Sequence, residues 1–317
     1  MTEFIHEPVM LEECLDGLAV RPGGIYADGT LGGGGHSEGI LVRLDSTGFL
    51  VGIDRDGDAI AAVEKRFDKN RPGKNYKLVR EKHENIKQVL DGLGIAAADG
   101  FLLDLGVSSH QLDTPERGFS YRFDAPLDMR MDVRDSLSAY DIVNGYAERD
   151  LAVLIKTYGE ERFAKRIARL ICRQRADAPV RTSLQLAQLI ESAVPRTKKS
   201  PSHGHPAMRT FQALRIAVNG ELTGLAQTIT DMAGLLTPGG RICIITFHSL
   251  EDRIVKQTFK HLADPCECPR DIPYCVCGKK PQLSIITKKP VRPSACELEL
   301  NPRSHSAKLR ISEGVIT

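Results

Sequence analysis

The sequence predicts an α/β fold: a parallel, doubly wound sheet interrupted by a helical insertion. Three observations carry this. A short apolar run at Gly24 to Ala27 leads into a glycine-rich turn and then a helix start at Ser37. Short apolar strands then alternate with helical patterns as far as Gly106. The alternation stops at Val107 and resumes after residue 207.

Residues 6–20 predict a short helix, with Pro8 in its first turn. The first strand ends at Asp28, and five of the seven positions from Gly29 to Gly35 are glycine. Glycine tolerates positive φ and lets a ligand reach the backbone. Strand, glycine turn and helix N-terminus together make a site for a nucleotide-like cofactor. The second strand, Gly48 to Asp54, ends in an acid 19 residues after Gly35, where a ribose-binding carboxylate belongs. The dinucleotide pattern G-x-G-x-x-G is not met, because the sixth position counted from Gly32 is Ser37. Asp28, at the tip of the first strand, suits a cationic ligand better than a pyrophosphate. S-adenosylmethionine, with a sulfonium and an amino group, meets that condition.

Asp58 to Phe67 reads as a helix, Tyr76 to Arg80 as a third strand and His83 to Leu90 as another helix. Gly100 to Gly106 is nearly all apolar, which makes the fourth strand central. Val107 to Arg134 is a long polar loop in which Phe119, Tyr121 and Phe123 alternate; a loop of that length is usually functional. Residues 138–192 predict several helices, and Lys198 to Pro206 is a linker by composition. One long helix is expected from Phe211 to Leu236, then a turn to Gly240, a fifth strand from Arg241 to His248 and a helix from Ser249. Leu283 to Thr287 and Ala307 to Ser312 predict a closing antiparallel pair. The expected organisation is residues 1–111 and 207–317 as two parts of one domain, with 112–206 inserted between them.

The 317 residues are 41% hydrophobic and 26% charged, an ordinary globular composition. No apolar run approaches the roughly 20 residues of a membrane span. The start of the chain lacks the basic-then-apolar order of a signal peptide. Eight cysteines without a secretion signal read as thiols or metal ligands, and the expected location is the cytoplasm. Cys266, Cys268, Cys275 and Cys277 lie within twelve residues; they suit either a structural zinc or reduced surface thiols. The net charge of +2 hides an asymmetry. Arg149 to Arg215 carries fourteen Lys/Arg against five Asp/Glu, a net +9, which leaves −7 for the rest. A basic region on an acidic protein points to a polyanionic partner.

Several segments together support a name. They are Asp28-Gly-Thr-Leu-Gly-Gly-Gly-Gly-His-Ser37, Gly52-Ile-Asp-Arg-Asp56, Leu102-Leu-Asp-Leu-Gly-Val-Ser-Ser109, Gln111-Leu-Asp113, Glu116-Arg-Gly-Phe-Ser120 and Pro126-Leu-Asp-Met-Arg-Met131. Tyr158 to Ile167, Arg209 to Ala213, Thr246-Phe-His-Ser-Leu-Glu-Asp-Arg253 and Asn301-Pro-Arg303 extend the match over nearly the whole chain. The sequence resembles the bacterial 16S ribosomal RNA cytosine-N4 methyltransferase family. The resemblance implies a Rossmann-like class I methyltransferase fold with a helical insertion after strand four. It also implies S-adenosylmethionine as cofactor, a decoding-centre cytidine of 16S ribosomal RNA in the small ribosomal subunit as substrate, and no membrane; a homodimer is compatible with it.

By position, the family's cofactor contacts fall on Gly34, Gly35, His36, Asp54, His83, Asp104 and Gln111. Gly34 and Gly35 are expected at the methionine end, Asp54 at the ribose hydroxyls and His83 beside adenine. For His36 the backbone N–H at a helix start matters more than the ring. Asp104 is the candidate catalytic acceptor for the target amine. The surrounding Asp104-Leu-Gly-Val107 departs from the acid-proline-proline-aromatic pattern of many amino-methylating enzymes, so its cofactor role is the better supported one. Phe119, Tyr121 and Phe123 are candidates to stack on a flipped base or to pack the insertion's core. A nicotinamide-dependent oxidoreductase and a non-catalytic RNA-binding protein are the competing classes; the broken fingerprint and Asp28 speak against the first, the intact turn and Asp54 against the second.

Overall fold

The computed structural model describes residues 8–70, 73, 75–195, 205–269 and 274–315. In chain order the elements are α1 (Leu11–Leu18), β1 (Ile25–Asp28), α2 (Gly35–Arg43), β2 (Phe49–Asp54), α3 (Gly57–Asn70), β3 (Tyr76–Arg80), α4 (Ile86–Gly92) and β4 (Ala98–Asp104). Next come α5 (Ser109–Asp113), α6 (Ala139–Gly145), α7 (Glu148–Gly159), α8 (Ala164–Asp177), α9 (Ser183–Ala193) and α10 (Met208–Asn219). The chain closes with α11 (Leu225–Gly234), β5 (Leu236–Thr246), α12 (Ser249–Ala263), β6 (Leu283–Ile285), α13 (Ala295–Leu300) and β7 (Lys308–Gly314).

The chain forms two compact units, one of residues 1–106 with 222–317 and the other of residues 107–221. The first holds a seven-stranded sheet in the order β3-β2-β1-β4-β5-β7-β6. β3, β2, β1, β4 and β5 run parallel, whereas β7 pairs antiparallel with both β5 and β6. The order reverses between β1 and β4, and ligands of open α/β sheets bind at such a switch point, beyond the carboxyl ends of the strands. Side chains alternate across the sheet. Ala27, Val51, Phe101, Leu103 and Ile244 face a core with α4, α11 and α12, while Tyr26, Leu50, Leu102, Cys243 and Ile245 face a second core with α1, α2 and α3. Burying each large apolar side chain contributes roughly 1.5–3 kcal/mol, so the strand tips are held by apolar contact on both faces.

Three expectations change in this unit. The single helix from Phe211 to Leu236 is two helices, because Gly220 (φ 61°) ends α10 and Gly224 (φ 82°) starts α11. Two left-handed glycines four residues apart break the helical path. The turn before strand five is part of the strand: β5 begins at Leu236, and a register shift at Ala98/Gly100 absorbs Pro238 and Gly239. Pro8 precedes α1, whose N-cap is Met10 in the left-handed region.

The second unit is helical, with one core built from residues such as Phe119, Met129, Ile142, Ile155, Ile167, Leu186 and Phe211. The polar stretch before α6 is pinned by specific bonds. Asn219 accepts from the Met131 N–H (2.7 Å) and donates to the Met129 carbonyl (2.8 Å), and Arg117 donates to the carbonyls of Arg130 and Met131. Gly118 has φ 71°, and a Cβ there would lie 2.2 Å from the Pro126 carbonyl oxygen. The expected boundaries at 111/112 and 206/207 differ from the unit boundaries at 106/107 and 221/222, since α5 and α10 group with the helical unit. Of the linker at 198–206, residues 198–204 lie outside the described residues.

Candidate functional site

Three neighbouring strands each end in an aspartate: β2 in Asp54, β1 in Asp28 and β4 in Asp104. The β2-β1-β4 order sets them side by side along the carboxyl edge of the sheet. Among the described residues none of the three forms an ion pair with a lysine or arginine. The glycine turn lies over this edge. Gly29 donates to the Leu102 carbonyl (2.9 Å) and Leu31 to that of Ile53 (2.9 Å), which lace the turn to β4 and β2. A Cβ on Gly29 would sit 2.5 Å from the Leu103 Cδ2 and 3.3 Å from the His83 Cβ, so a larger residue there would have to displace Leu103.

Asp28 is 1% exposed, and its carboxylate holds the turn itself: it accepts from the Ser37 hydroxyl (2.7 Å) and the Thr30 N–H (3.1 Å). Burial pushes its carboxyl up to about 6. Asp54 accepts from Gly32 N–H (2.7 Å) and Asp56 N–H (2.8 Å). Asp56, not Asp54, accepts from Asp58 N–H at the start of α3, so Asp54 is not a helix cap. A carboxylate offers about four lone-pair sites, which leaves two for hydroxyl donors. Burial raises the Asp54 carboxyl as well.

Asp104 is the most perturbed of the three. Burial, then the nearby charges of Asp28 and Glu251, hold its carboxyl well above the usual carboxylate range. Its Oδ1 is buried with no hydrogen-bond partner, and its Oδ2 lies 3.8 Å from His36 Nδ1. The Asp104 N–H is fixed by the Thr30 hydroxyl at 2.5 Å. His36 is 5% exposed, and its Nε2 is 2.9 Å from the Val9 carbonyl. A carbonyl only accepts, so Nε2 carries a proton in this contact. The His36 ring therefore has a defined place, beyond what its position at a helix start suggests.

His83 opens a short 3-10 turn after β3 and is 6% exposed, so it is no surface histidine. Burial lowers its pKa to about 4, and its Nδ1 has no hydrogen-bond partner. Gly34 is the N-cap of α2 at φ 74° and brings no side chain to cap it. Cβ atoms on Gly34 and Gly35 would meet Val63 and Pro8, each at 2.9 Å, so both glycines are also demanded by packing. Gln111 belongs to the helical unit; its side chain accepts from the Ser108 N–H (3.1 Å) and closes the capping box of α5. Phe119 is buried in that unit's core, Tyr121 stacks on His205 at 4.4 Å between ring centres, and Phe123 is exposed. Of the three aromatics only Phe123 keeps an open face.

Two residues escaped the sequence reading. Thr30 joins the turn to β4 through Asp104. Glu251, 1% exposed, accepts from Phe247 N–H (2.8 Å) and His248 N–H (3.2 Å) and adds charge near Asp104. The second is a capping box with histidine at the N-cap, and the usual serine-or-threonine signature does not find it.

A sheet of this order, with a glycine turn at its switch point and an antiparallel β7, is that of a class I methyltransferase. The methyl donor of that class is S-adenosylmethionine, and the edge fits it on three counts. Its acids lack cationic partners, as a sulfonium and an ammonium require. The bare N-terminus of α2 favours a carboxylate. His83 Nδ1 and Asp104 Oδ1 are buried polar atoms without a hydrogen-bond partner in the protein. The sequence comparisons are narrower. The MraW methylase family model matches residues 3–315, and the chain belongs to that family. It is 51% identical over 314 residues to ribosomal RNA small subunit methyltransferase H of Clostridioides difficile, covering 99% of this chain and 100% of that protein. The Halothermothrix orenii protein of the same name is 52% identical over 314 residues, 98% of this chain and 99% of that one. Among solved structures, an rRNA methylase from Streptococcus thermophilus covers 99% of each chain with a TM-score of 0.42 and 12% identity.

Proposed function

We propose that this methyltransferase uses S-adenosylmethionine to methylate the exocyclic N4 of a cytidine in the decoding centre of 16S ribosomal RNA. The names of the relatives at about half identity support a small-subunit RNA substrate. The helical unit supports a polyanionic one: Lys165, Arg169 and Arg173 recur every four residues on α8 and are all exposed, which lines cations along one helix face.

The observation that carries the N4 assignment is the chemistry at the end of β4. Methylation of C5 normally needs a cysteine to add to the ring first. The β4 tip reads Asp104-Leu-Gly-Val107 with no cysteine, and Cys243 is fully buried in β5 with its thiol pushed up by burial. An exocyclic amine needs no covalent adduct; it needs to be held in line and to find an acceptor for its proton. Bound cofactor supplies the electrophilic methyl on a sulfonium. Asp104 offers an oxygen that no protein group occupies, and its raised proton affinity makes it the better base once ionised. Thr30 and His36 position it from two sides.

The test is incubation of unmodified small subunits with labelled cofactor, followed by nucleoside mass spectrometry, for the native chain and for Cys243→Ser. N4-methylcytidine from both is expected. 5-Methylcytidine, or loss of activity in a folded Cys243→Ser, overturns the assignment.

A further inference from the structure

Between the end of α12 at Ala263 and β6 at Leu283 no described residue is buried. Tyr274 and Val276 are 81% and 76% exposed. The excursion is closed at its neck by Gln282 N–H donating to the Leu262 carbonyl (2.9 Å). Among the described residues of this segment, apolar burial therefore provides nothing to fold around, and they form neither helix nor strand. What its two ends do share is sulfur.

The Sγ atoms of Cys266, Cys268, Cys275 and Cys277 all lie within 4.8 Å of one another. Four of the separations are 3.4 Å (Cys275–Cys277), 3.5 Å (Cys266–Cys275), 3.8 Å (Cys268–Cys275) and 4.0 Å (Cys266–Cys277). A disulfide would need about 2.05 Å, and all four cysteines are free. Four sulfurs at the corners of a tetrahedron about 2.3 Å from a central zinc are about 3.8 Å apart. The observed spacings bracket that edge length. An iron–sulfur cluster, which puts several iron and sulfide ions between its thiolates, needs a wider cage.

Hydrogen bonding supports the same reading. Val276 N–H points at Cys268 Sγ (3.3 Å), Cys268 N–H at Cys266 Sγ, and the N–H groups of Glu267 and Lys279 at Cys277 Sγ. Gly278, at φ 67°, turns the chain so that the amide of Lys279 comes back to Cys277. Donors converging on sulfur offset the excess negative charge of four thiolates around one divalent ion.

We propose that Cys266, Cys268, Cys275 and Cys277 bind one zinc ion in a closed, four-thiolate structural site. With four protein ligands no coordination position is open, so the ion orders the excursion and takes no part in chemistry. On binding, the four thiol protons pass to solvent. The site replaces the missing apolar core in the way small metal-stapled modules do.

The test uses the full-length protein purified under reducing conditions without chelator. Elemental analysis is expected to give about one zinc per chain, released on titration with a mercurial thiol reagent. Cobalt exchanged into the site is expected to show the intense thiolate charge-transfer and d–d bands of a tetrahedral sulfur site. Cys275→Ser should lose the zinc, while Cys296→Ser, an exposed cysteine outside the cluster, should keep it. If Cys275→Ser fails to fold, the elemental analysis and cobalt spectrum of the native chain still decide. Native protein that carries no metal, carries iron, or has a disulfide among the four cysteines overturns the proposal.

Discussion

Two polar stretches of this chain treat their acids in opposite ways. At the sheet edge, Asp28 is buried, Asp54 and Asp104 are partly buried, none has a lysine or arginine partner, and all three carboxyls are pushed up by desolvation. In the helical unit, Asp128 is clamped by Arg130 (2.7 Å) and the 2%-exposed Asp132 by Arg134 (2.6 Å). There the guanidinium beside Asp128 offsets its burial and holds the carboxyl below the usual range. Burial of acids without a lysine or arginine partner persists where a ligand completes the site. Compensated burial is architecture. The first stretch reads as a place prepared for a cation, the second as a rigid brace for its own loop.

The comparison breaks most visibly at Asp104. Asp104→Asn keeps the shape and removes the base, and a positioned general base is worth about 10²–10⁴ in rate. Single-turnover methyl transfer should fall at least about a hundredfold with the fold intact; an unchanged rate removes Asp104 from the chemistry.

Asp28 tests the uncompensated burial by itself. Its carboxyl is raised from 3.8 to about 6, so the neutral form stabilises the fold at low pH and this contribution is lost as pH rises through about 6. His83 acts in the opposite sense: lowered to about 4, it contributes above its ordinary value of 6.5 and loses that as pH falls. A difference measurement separates the two. From pH about 4 to about 6, denaturant unfolding of Asp28→Asn should shift in the variant's favour relative to the native chain by up to about 3 kcal/mol. A pH-independent difference contradicts the assignment.

Asp54 and Arg134 make the matched pair. Asp54→Ala loses an acceptor whose charged hydrogen bonds are worth about 1.5–3 kcal/mol each, so cofactor binding by calorimetry should weaken at least about tenfold. Arg134→Ala should cost about 1–3 kcal/mol of stability and leave cofactor affinity unchanged. The reverse pattern would erase the distinction between the two stretches.

Much of the edge was legible because its signals are local. A strand, five glycines in seven positions, a helix start and an acid at the next strand tip all lie between residues 24 and 54. Strand-end acids need no long-range information. The partners of those acids do: Thr30 reaches across to β4, His36 is fixed by a carbonyl 27 residues earlier, and Glu251 caps α12 far along the chain. In the helical unit the alternation of Phe119, Tyr121 and Phe123 was visible, but burial of the first and stacking of the second depend on α10 and His205. Gln111 carried a cofactor expectation by position, and its capping bond to Ser108 appears only once α5 is built. Periodicity alone could not divide α10 from α11, since the apolar spacing runs on through Gly220.

The central claim is that the strand-end acids are held ready for a cationic cofactor. It is tested most directly by titrating S-adenosylmethionine into the native chain at a series of pH values, each in two buffers of different ionisation enthalpy. A cation arriving beside Asp104 lowers its pKa and expels its proton. The account predicts net proton release on binding, seen as a buffer-dependent heat, and its loss in Asp104→Asn. Tight binding with the same heat in both buffers at every pH would contradict it.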